Sequence, residues 1–257
     1  MSVDARRRGA VVLESFVDAL SWDGTLQRIG EWSSRRESRY VCACNVHSVV
    51  TGWRERNVND ALNRADMCTP DGAPIALALR AFGFTGQTRI NGPDLMERLC
   101  NWAAETRTAV YLLGSTESTL QRLKERLEVC CPGLPVVGTH SPPFRAISAR
   151  EDEDCVRQIN ASRAQIVFVG LGCPKQELWM ASHRGRVQAV MIGVGAAFDF
   201  LAGTTPRAPR WMQRAGLEWL HRLWSEPRRL LGRYLVTNTL FVALMLWRIL
   251  SRHVIPR

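Results

Sequence analysis

The sequence predicts an α/β fold of the Rossmann-like, doubly wound type, with a mostly parallel sheet and a C-terminal helical appendage. From about residue 40, short apolar runs alternate with longer amphipathic segments. Runs such as 167–170 and 189–195 are continuously apolar, as expected of strands covered on both faces. The last fifty residues show helical patterns without an intervening strand. A sheet-bearing part, 1–202, is therefore followed by a helical appendage, 203–257.

The individual elements follow from the same alternation. The apolar runs predict strands at 40–44, 65–68, 109–114, 135–139, 166–170 and 187–193. The segments between them predict helices near 47–57, 73–83, 93–105, 117–129, 150–162 and 175–183. Two further helices are expected in the appendage, at 211–224 and 227–250.

The composition is that of a globular protein and excludes several classes. A chain of 257 residues with 46% hydrophobic and 23% charged residues is neither fibrous nor disordered. Its eight cysteines form no C-x-x-C pair and no zinc-type spacing, so we predict no metal site and a reducing compartment. The basic N-terminus has no long apolar core before Glu14, which argues against a signal peptide. We expect the protein in the cytoplasm.

Positive charge is concentrated near the C-terminus. Residues 203–257 hold ten Arg against Glu218 and Glu226, whereas the rest of the chain has 24 basic and 22 acidic residues. Such asymmetry indicates an anionic partner: nucleic acid, an acidic lipid surface or a phosphorylated substrate. The uncharged run 234–247 would reach only about 21 Å as a helix, against roughly 30 Å for a bilayer core. We expect this helix to lie on a membrane, or to pack on protein, and not to span.

Polar residues follow the first two predicted strands, at the sheet edge where ligands bind in such folds. Asn45 and His47 come after the first strand, and Asp71 comes after the second. A carboxylate there can accept a proton from a substrate hydroxyl, although a single Asp before a helix more often caps it. A lone His at a helix start is likewise usually structural. Both roles stay open for these residues.

A second candidate turn precedes the helix near 93–105. It contains Arg89, Asn91, Gly92 and Asp94. Arg89 can hold a phosphate, whereas Asp94 can cap the helix or bond a ribose or sugar hydroxyl. The turn is therefore a candidate substrate contact.

A glycine-rich turn after 166–170 is a third candidate. Gly172 lies in this turn, and Lys175, Gln176 and Glu177 open the helix behind it. Amide N–H groups and the dipole at such a helix start suit a nucleotide diphosphate. Gln176 and Glu177 either face this ligand or cap the helix. No P-loop motif is present, and Phe198 stands where a dinucleotide fingerprint needs Gly or Ala, which disfavours a dehydrogenase.

Arginines of the appendage can contact a diphosphate. In a continuous helix, Arg222, Arg229 and Arg233 would lie within about 20° of one face. Several guanidiniums on one face suit a diphosphate. This alignment is conditional, because Pro227 is expected to break or bend the helix. Glu218, four residues before Arg222, fits a surface ion pair.

Taken together, the order and wording of these motifs resemble the WecG/TagA/CpsF family of bacterial glycosyltransferases over about residues 10–235. The motifs that carry the resemblance are Asn45-Val-His47, Pro70-Asp71-Gly72, Arg89-x-x-Gly92-x-Asp94, Tyr111-Leu-Leu-Gly114, Gly170-Leu-Gly172-x-Pro174-Lys175-Gln176-Glu177-x-Trp179, Gly193-Val-Gly195, Arg207-Ala-Pro209-x-Trp211, Glu218-Trp219 and Glu226-Pro-Arg228-Arg229.

The resemblance implies an inverting transfer, without metal or cofactor, of a hexose or N-acetylhexosamine from a UDP-sugar to a polyprenyl-diphosphate-linked saccharide. It implies exopolysaccharide or surface-polysaccharide synthesis by a peripheral protein on the anionic inner face of the cell membrane, with a homo-oligomer as a possible state. The family's base matches Asp71 and its substrate-binding Gln matches Gln176. Its phosphate-contacting tail arginines match Arg222, Arg229 and Arg233.

One position departs from the family pattern, and two other functions stay open. Several members have Thr two residues before Asn45, where this chain has Ala43, so a hydroxyl contact is lost or is replaced, with His47 as a candidate. The first alternative function is a basic nucleic-acid-binding module, against which the uncharged run 234–247 argues. The second is a non-catalytic scaffold of a polysaccharide assembly complex.

Overall fold

A parallel β-sheet forms the centre of the protein. The computed structural model describes residues 7–254, without the side chains of 214, 229, 233 and 249–254. A hairpin of β1 (Gly9–Val12) and β2 (Ser15–Asp18) precedes the sheet, whose strands are β3 (Arg39–Cys44), β4 (Met67–Pro70), β5 (Val110–Gly114), β6 (Val136–His140), β7 (Ile166–Gly170) and β8 (Val190–Gly193). Across the sheet the order is β4-β3-β8-β7-β5-β6, and every neighbouring pair is parallel. The predicted parallel sheet is confirmed.

Helices connect the strands and complete the C-terminal part. They are α1 (Trp22–Ser34), α2 (Val46–Arg54), α3 (Arg56–Asn63), α4 (Ala73–Ala81), α5 (Gly92–Thr106), α6 (Glu117–Cys130), α7 (Ala149–Ala161), α8 (Lys175–His183), α9 (Ala197–Leu201), α10 (Arg210–Arg214), α11 (Glu218–Ser225) and α12 (Pro227–Val254). Several begin at a side chain that accepts a backbone N–H of the first turn, as Asn45, Asn91, Thr116 and Ser148 do.

Alternate side chains of each strand enter two apolar layers, one on each face of the sheet. Tyr40, Cys42 and Cys44 of β3 pack with buried residues of α2, α3, α4 and α8, whereas Val41 packs with residues of α1, α5 and α6. Phe168 on β7 is fully buried. Each such side chain stabilises the fold by about 1.5–3 kcal/mol on burial. The continuous apolar runs thus arise because both faces are covered, as predicted.

Some predicted boundaries were wrong. The N-terminal hairpin was not predicted, since strands of four residues carry little periodicity, and α1 was not predicted either. The predicted helix 47–57 is two helices, because Glu55 adopts an extended conformation between α2 and α3. The strand predicted at 65–68 starts and ends two residues later, where Cys42 pairs with Cys68 and Cys44 with Pro70.

The helices of the appendage are also divided differently from the prediction. The segment 211–224 forms α10 and α11, separated by a turn at Gly216, whose φ is +73°. The break expected at Pro227 is confirmed, because α11 ends at Ser225 and α12 begins at Pro227. Arg222 therefore lies on a different helix from residues 229 and 233. The condition for a shared face of the three arginines, one continuous helix, is therefore not met.

The last helix, α12, packs along α2. Its side chains Leu230, Thr237, Phe241 and Met245 are buried. The stretch Leu230–Arg248 is, by length and composition alone, apolar enough to cross a membrane, with 19 residues and a mean hydropathy of 1.4. About a quarter of that stretch is buried against the protein. The apolar part of α12 is thus longer than the uncharged run 234–247 from which the helix was predicted. One side of the helix packs in the core.

Candidate active site

Asp71 lies at the carboxyl edge of the sheet, directly after β4. Its backbone N–H donates to the carbonyl oxygen of Cys44 over 2.9 Å, which holds the end of β4 against the end of β3. The Nδ2 group of Asn45 donates to Oδ2 of Asp71 over 3.5 Å. The helix that follows has Gly72 as its N-cap and receives no capping bond from a side chain. The alternative that Asp71 is a helix cap is therefore wrong.

The carboxyl group of Asp71 is tuned to titrate close to neutral pH. Burial, and then the negative charge of Glu218, raise the pKa of Asp71 to about 6. The hydrogen bond from Asn45 and the positive charges of Arg222 and Arg89 lower the pKa and offset part of this rise. A carboxylate with a pKa near the working pH is well suited to act as a general base. At pH 7 it is mostly ionised and still holds a transferred proton well.

Asn45 and His47 start α2 next to this carboxyl group. Oδ1 of Asn45 accepts the N–H of Ser48 over 3.1 Å, so the cap fixes the side chain whose amide group contacts Asp71. Nδ1 of His47 lies 3.4 Å from Oγ1 of Thr51, one turn along the same helix. Asn45 is therefore both a structural and a site residue, whereas this contact of His47 is within its own helix.

Four charged side chains join the appendage to the turn before α5. Nη1 of Arg89 lies 3.0 Å from Oε2 of Glu218, and Nε of Arg207 lies 3.5 Å from Oε1 of the same carboxylate. Arg207 also forms an ion pair with Asp94 through Nη2. Asn91 completes the cluster, because its Nδ2 donates to Asp94 over 2.7 Å. In this structure, therefore, the turn that was predicted to contact a substrate contacts the protein's own appendage.

Glu218 is the site residue that sequence reasoning missed. The spacing indicated a surface pair with Arg222, but the carboxylate instead pairs with Arg89 and Arg207 and its side chain is only 16% exposed. Its partner Arg89 lies 129 positions earlier in the chain. A local pattern carries no signal for such a pair, although the charge of Glu218 among basic residues marked it as unusual.

Gly92 allows the start of α5 to approach β8 closely. A Cβ atom at this position would lie 2.8 Å from the carbonyl oxygen of Val194, which follows β8. The observed role of Gly92 is thus packing of backbone against backbone. It brings Asn91 and Asp94 next to the carboxyl end of the central strands.

The glycine-rich turn after β7 is tied to the turn after β8 by Gln176. Its Oε1 accepts the N–H of Gly195 over 3.1 Å, and its Nε2 donates to Oε1 of Glu177 over 2.8 Å. Both side chains are buried, and burial raises the pKa of Glu177. The N-cap of α8, Pro174, receives no side-chain capping bond. Gln176 and Glu177 thus join the two turns, and their contact with a ligand stays a prediction.

The rest of this turn is open to a ligand. Gly172 has a φ of +78°, which favours glycine, and no atom lies within 4 Å of the place where a Cβ would stand. Lys175 is exposed at the start of α8. Open backbone at a helix start is the arrangement that binds phosphate groups in α/β folds. The turn therefore retains its predicted ability to hold a diphosphate.

Arg222 brings a positive charge from α11 towards Asp71. Its guanidinium lies 5.6 Å from the ring centre of Phe200, and its Nε is buried without a hydrogen-bond partner among the described residues. Its charge lowers the pKa of Asp71, as stated above. The predicted side-chain roles of Arg229 and Arg233 lie outside the described residues.

The site residues meet because their strands are neighbours. The strands β4, β3, β8 and β7 are adjacent in the sheet, so their carboxyl ends place Asp71, Asn45, Gly195 and Gly172 along one edge. Among the side chains that the structure describes, no group of three from His, Cys, Asp or Glu is arranged to hold a metal ion. The site thus combines one tuned carboxylate, an open glycine turn and guanidiniums.

Comparison with known proteins identifies the class of enzyme. The model of the glycosyl transferase WecG/TagA/CpsF family matches residues 10–254. The chain belongs to this family. A relative from Bacillus spizizenii, an N-acetylglucosaminyldiphosphoundecaprenol N-acetyl-beta-D-mannosaminyltransferase, is 32% identical over 196 residues, 76% of this chain and 74% of the relative. The resemblance predicted from the motifs is confirmed, and this WecG/TagA/CpsF protein is a glycosyltransferase.

Proposed function

We propose that the protein transfers an N-acetylhexosamine or hexose from a UDP-sugar to a saccharide linked to a polyprenyl diphosphate, with inversion at the sugar carbon. The observation that carries this proposal is Asp71, a partly buried carboxyl group with a pKa of about 6, which lies on the same sheet edge as the open glycine turn and within the influence of the charge of Arg222. Family membership favours this function over a nucleic-acid-binding module.

The chemistry follows from the positions of these groups. Asp71 accepts the proton of an acceptor hydroxyl, whose oxygen attacks the anomeric carbon of the donor as the bond to UDP breaks. UDP leaves from the opposite face with its electron pair, which inverts the configuration. The turn around Gly172 holds the diphosphate through its open backbone, and Arg222 offsets the negative charge that develops. Asn45 orients the carboxylate.

The name of the Bacillus spizizenii relative narrows the choice of substrates to test. That protein acts on N-acetylglucosaminyldiphosphoundecaprenol and transfers N-acetyl-β-D-mannosamine. Inverting transfer from an α-linked UDP-sugar would give the same β linkage, which agrees with Asp71 as a base. We therefore propose an N-acetylglucosaminyl diphosphate lipid as the first acceptor to test, with the donor sugar left to experiment because Ala43 departs from the family pattern.

The appendage is proposed to hold the enzyme on the cytoplasmic face of the cell membrane. Its exposed aromatic side chains include Trp211, Trp224 and Trp247, at 64%, 86% and 70% exposure. On α12, Leu231, Leu235, Val242 and Leu246 are exposed and repeat at helical spacing. An apolar stripe among arginines is typical of helices that lie in the interface of anionic membranes.

The test uses the full-length purified chain. It is incubated with UDP-N-acetylmannosamine, UDP-N-acetylglucosamine or UDP-glucose and with N-acetylglucosaminyl diphosphate on a short synthetic prenyl chain. We expect one donor to yield a disaccharide product by mass spectrometry, with β linkage by NMR. UDP binding without any transfer would instead favour the non-catalytic scaffold. A retained α linkage would contradict Asp71 as a base in a single displacement.

A further inference from the structure

A groove runs between α4 and α5 and is covered by α10. Its volume is about 750 Å³, within the size of pockets that bind small molecules. Each wall is one face of a helix, since residues 73, 76, 77 and 80 line it from α4 and residues 94, 97, 98 and 101 from α5. This spacing of three and four places the side chains in one row per helix. The groove is therefore an elongated channel along two helices.

One end of the groove adjoins the catalytic carboxyl group. Ala73, which lines it, starts α4 two residues after Asp71. Arg89 and Asp94 line it as well and belong to the cluster that joins the appendage to the turn before α5. A ligand in the groove thus has one end next to the site and the other towards Arg80.

The groove carries an excess of positive charge. Arg80, Arg98 and Arg210 line it, and none of them forms an ion pair with a carboxylate within the described part of the chain. Two of the three are held in place by other contacts. Nε of Arg80 donates to the carbonyl oxygen of Gln87 over 2.7 Å, and the guanidinium of Arg98 lies 4.4 Å from the ring centre of Trp22. Pre-positioned guanidiniums without acidic partners suit phosphate oxygens.

The other lining groups favour a sugar over a nucleobase. Glu97, Asn101 and Gln213 offer amide and carboxylate groups for hydroxyls, and no aromatic ring lines the groove in the part of the chain that the structure describes. The covering helix also carries the exposed Trp211, next to Arg210. A ligand that joins a sugar, a diphosphate and a lipid matches these three features.

We propose that this groove binds the sugar-diphosphate head of the lipid-linked acceptor. Arg80, Arg98 and Arg210 contact its diphosphate, and the saccharide lies at the end next to Asp71, where Glu97 contacts its hydroxyls. The donor is left to the glycine turn on the other side of Asp71. This inference rests on the proposed function and adds to it a separate acceptor site.

The test separates the two substrates by steady-state kinetics of the full-length protein. The variants Arg210→Gln and Arg80→Gln remove single guanidiniums from the groove. We expect each to raise the KM for the synthetic N-acetylglucosaminyl diphosphate prenyl acceptor about tenfold, because one charge-assisted hydrogen bond is lost. The KM for the UDP-sugar should stay within about twofold. Arg122→Gln, on the exposed face of α6, is the matched control and should change neither value.

A second variant fills the groove without removing a charge. Asn101→Trp should weaken use of the same acceptor while UDP binding, measured by calorimetry, and the melting temperature stay near wild type. An unchanged acceptor KM in all groove variants would overturn the inference. A raised KM for the UDP-sugar alone would also overturn it, because the groove would then bind the donor. Failure of the wild type to transfer sugar would instead refute the proposed function, before any variant is compared.

Discussion

The site has two halves, one at the edge of the sheet and one in the appendage. Different interactions fix the side chains of each half. Asn45 is fixed by accepting the N–H of Ser48 in the first turn of α2, and Gln176 by accepting the N–H of Gly195, which follows β8. Arg207 and Glu218 are held by ion pairs with the turn before α5, and Arg222 contacts a ring. Ion pairs of partly exposed groups are weaker and can be exchanged for a substrate's phosphates. The base therefore has a rigid support, whereas its charged surroundings can rearrange when substrate binds.

The largest expected effect comes from the rigid half. Asp71→Asn removes the base and should lower kcat about 10³-fold with UDP binding retained. Because burial raises the pKa of Asp71 to about 6, its contribution to stability is present at acidic pH and lost as pH rises through about 6. The uncharged variant should therefore be more stable near pH 7.5 by about 1–3 kcal/mol in urea unfolding.

The matched control for this change is Asp60→Asn on α3, an exposed Asp away from the site. It should leave both kcat and stability near wild type. If Asp71→Asn kept its turnover, the sheet-borne half would lose its catalytic role. If it lost stability at pH 7.5, the burial cost assigned to this carboxylate would be wrong.

An intermediate effect tests the outer surface of the appendage. Trp224→Glu and Trp247→Glu place charges on side chains that are 86% and 70% exposed. Each should weaken co-sedimentation with vesicles rich in phosphatidylglycerol about tenfold. The reason is that a ring which inserts into the membrane interface is replaced by a carboxylate that the anionic lipids repel. Phe144→Glu, on an aromatic residue with 83% exposure outside the appendage, is the control. Equal sedimentation of all three variants would contradict membrane binding by this surface.

The smallest effect is expected on the pKa of Asp71, which charges of the appendage shift. Glu218 raises the pKa of Asp71 and Arg222 lowers it. Glu218→Gln should therefore move the acidic limb of the kcat/KM profile below its wild-type midpoint of about 6, and Arg222→Gln should move it above. Glu218→Gln also releases Arg89 from its ion pair, and the positive charge of Arg89 lowers the pKa of Asp71 as well. Profiles between about pH 5 and 8.5 measure both shifts, and shifts of the same sign would show that the appendage does not tune the base.

Much of the fold was predictable because the sheet repeats one physical pattern. Strands buried on both faces produce runs such as Ile166–Gly170, whose bounds were predicted without error. The hairpin of β1 and β2 was not, since it is too short for a periodic signal. The break at Glu55 depends on the packing of α3, which local propensity does not encode.

Site residues that follow the end of a strand were predictable. Contacts between residues far apart in the sequence were less so. Asp71 directly follows β4, and Gln176 lies at the start of the helix behind β7, so their places follow from sheet geometry. The ion pair of Arg89 with Glu218 and the groove under α10 depend on how the appendage folds back. Sequence spacing placed the three arginines on one face only if their helix was continuous, and the start of α12 at Pro227 separates them, as the proline indicated.

The order of strands has a consequence for synthesis on the ribosome. The central strand β8 lies between β3 and β7, yet it is the last strand of the sheet along the chain. Until residues 190–193 have been made, β4 with β3 and β7 with β5 and β6 are two separate half-sheets, each with an open edge. Open edges can pair with other chains, so a nascent chain stalled before β8 is the species most exposed to aggregation. Assembly of the complete sheet therefore waits until about three quarters of the polypeptide has been translated.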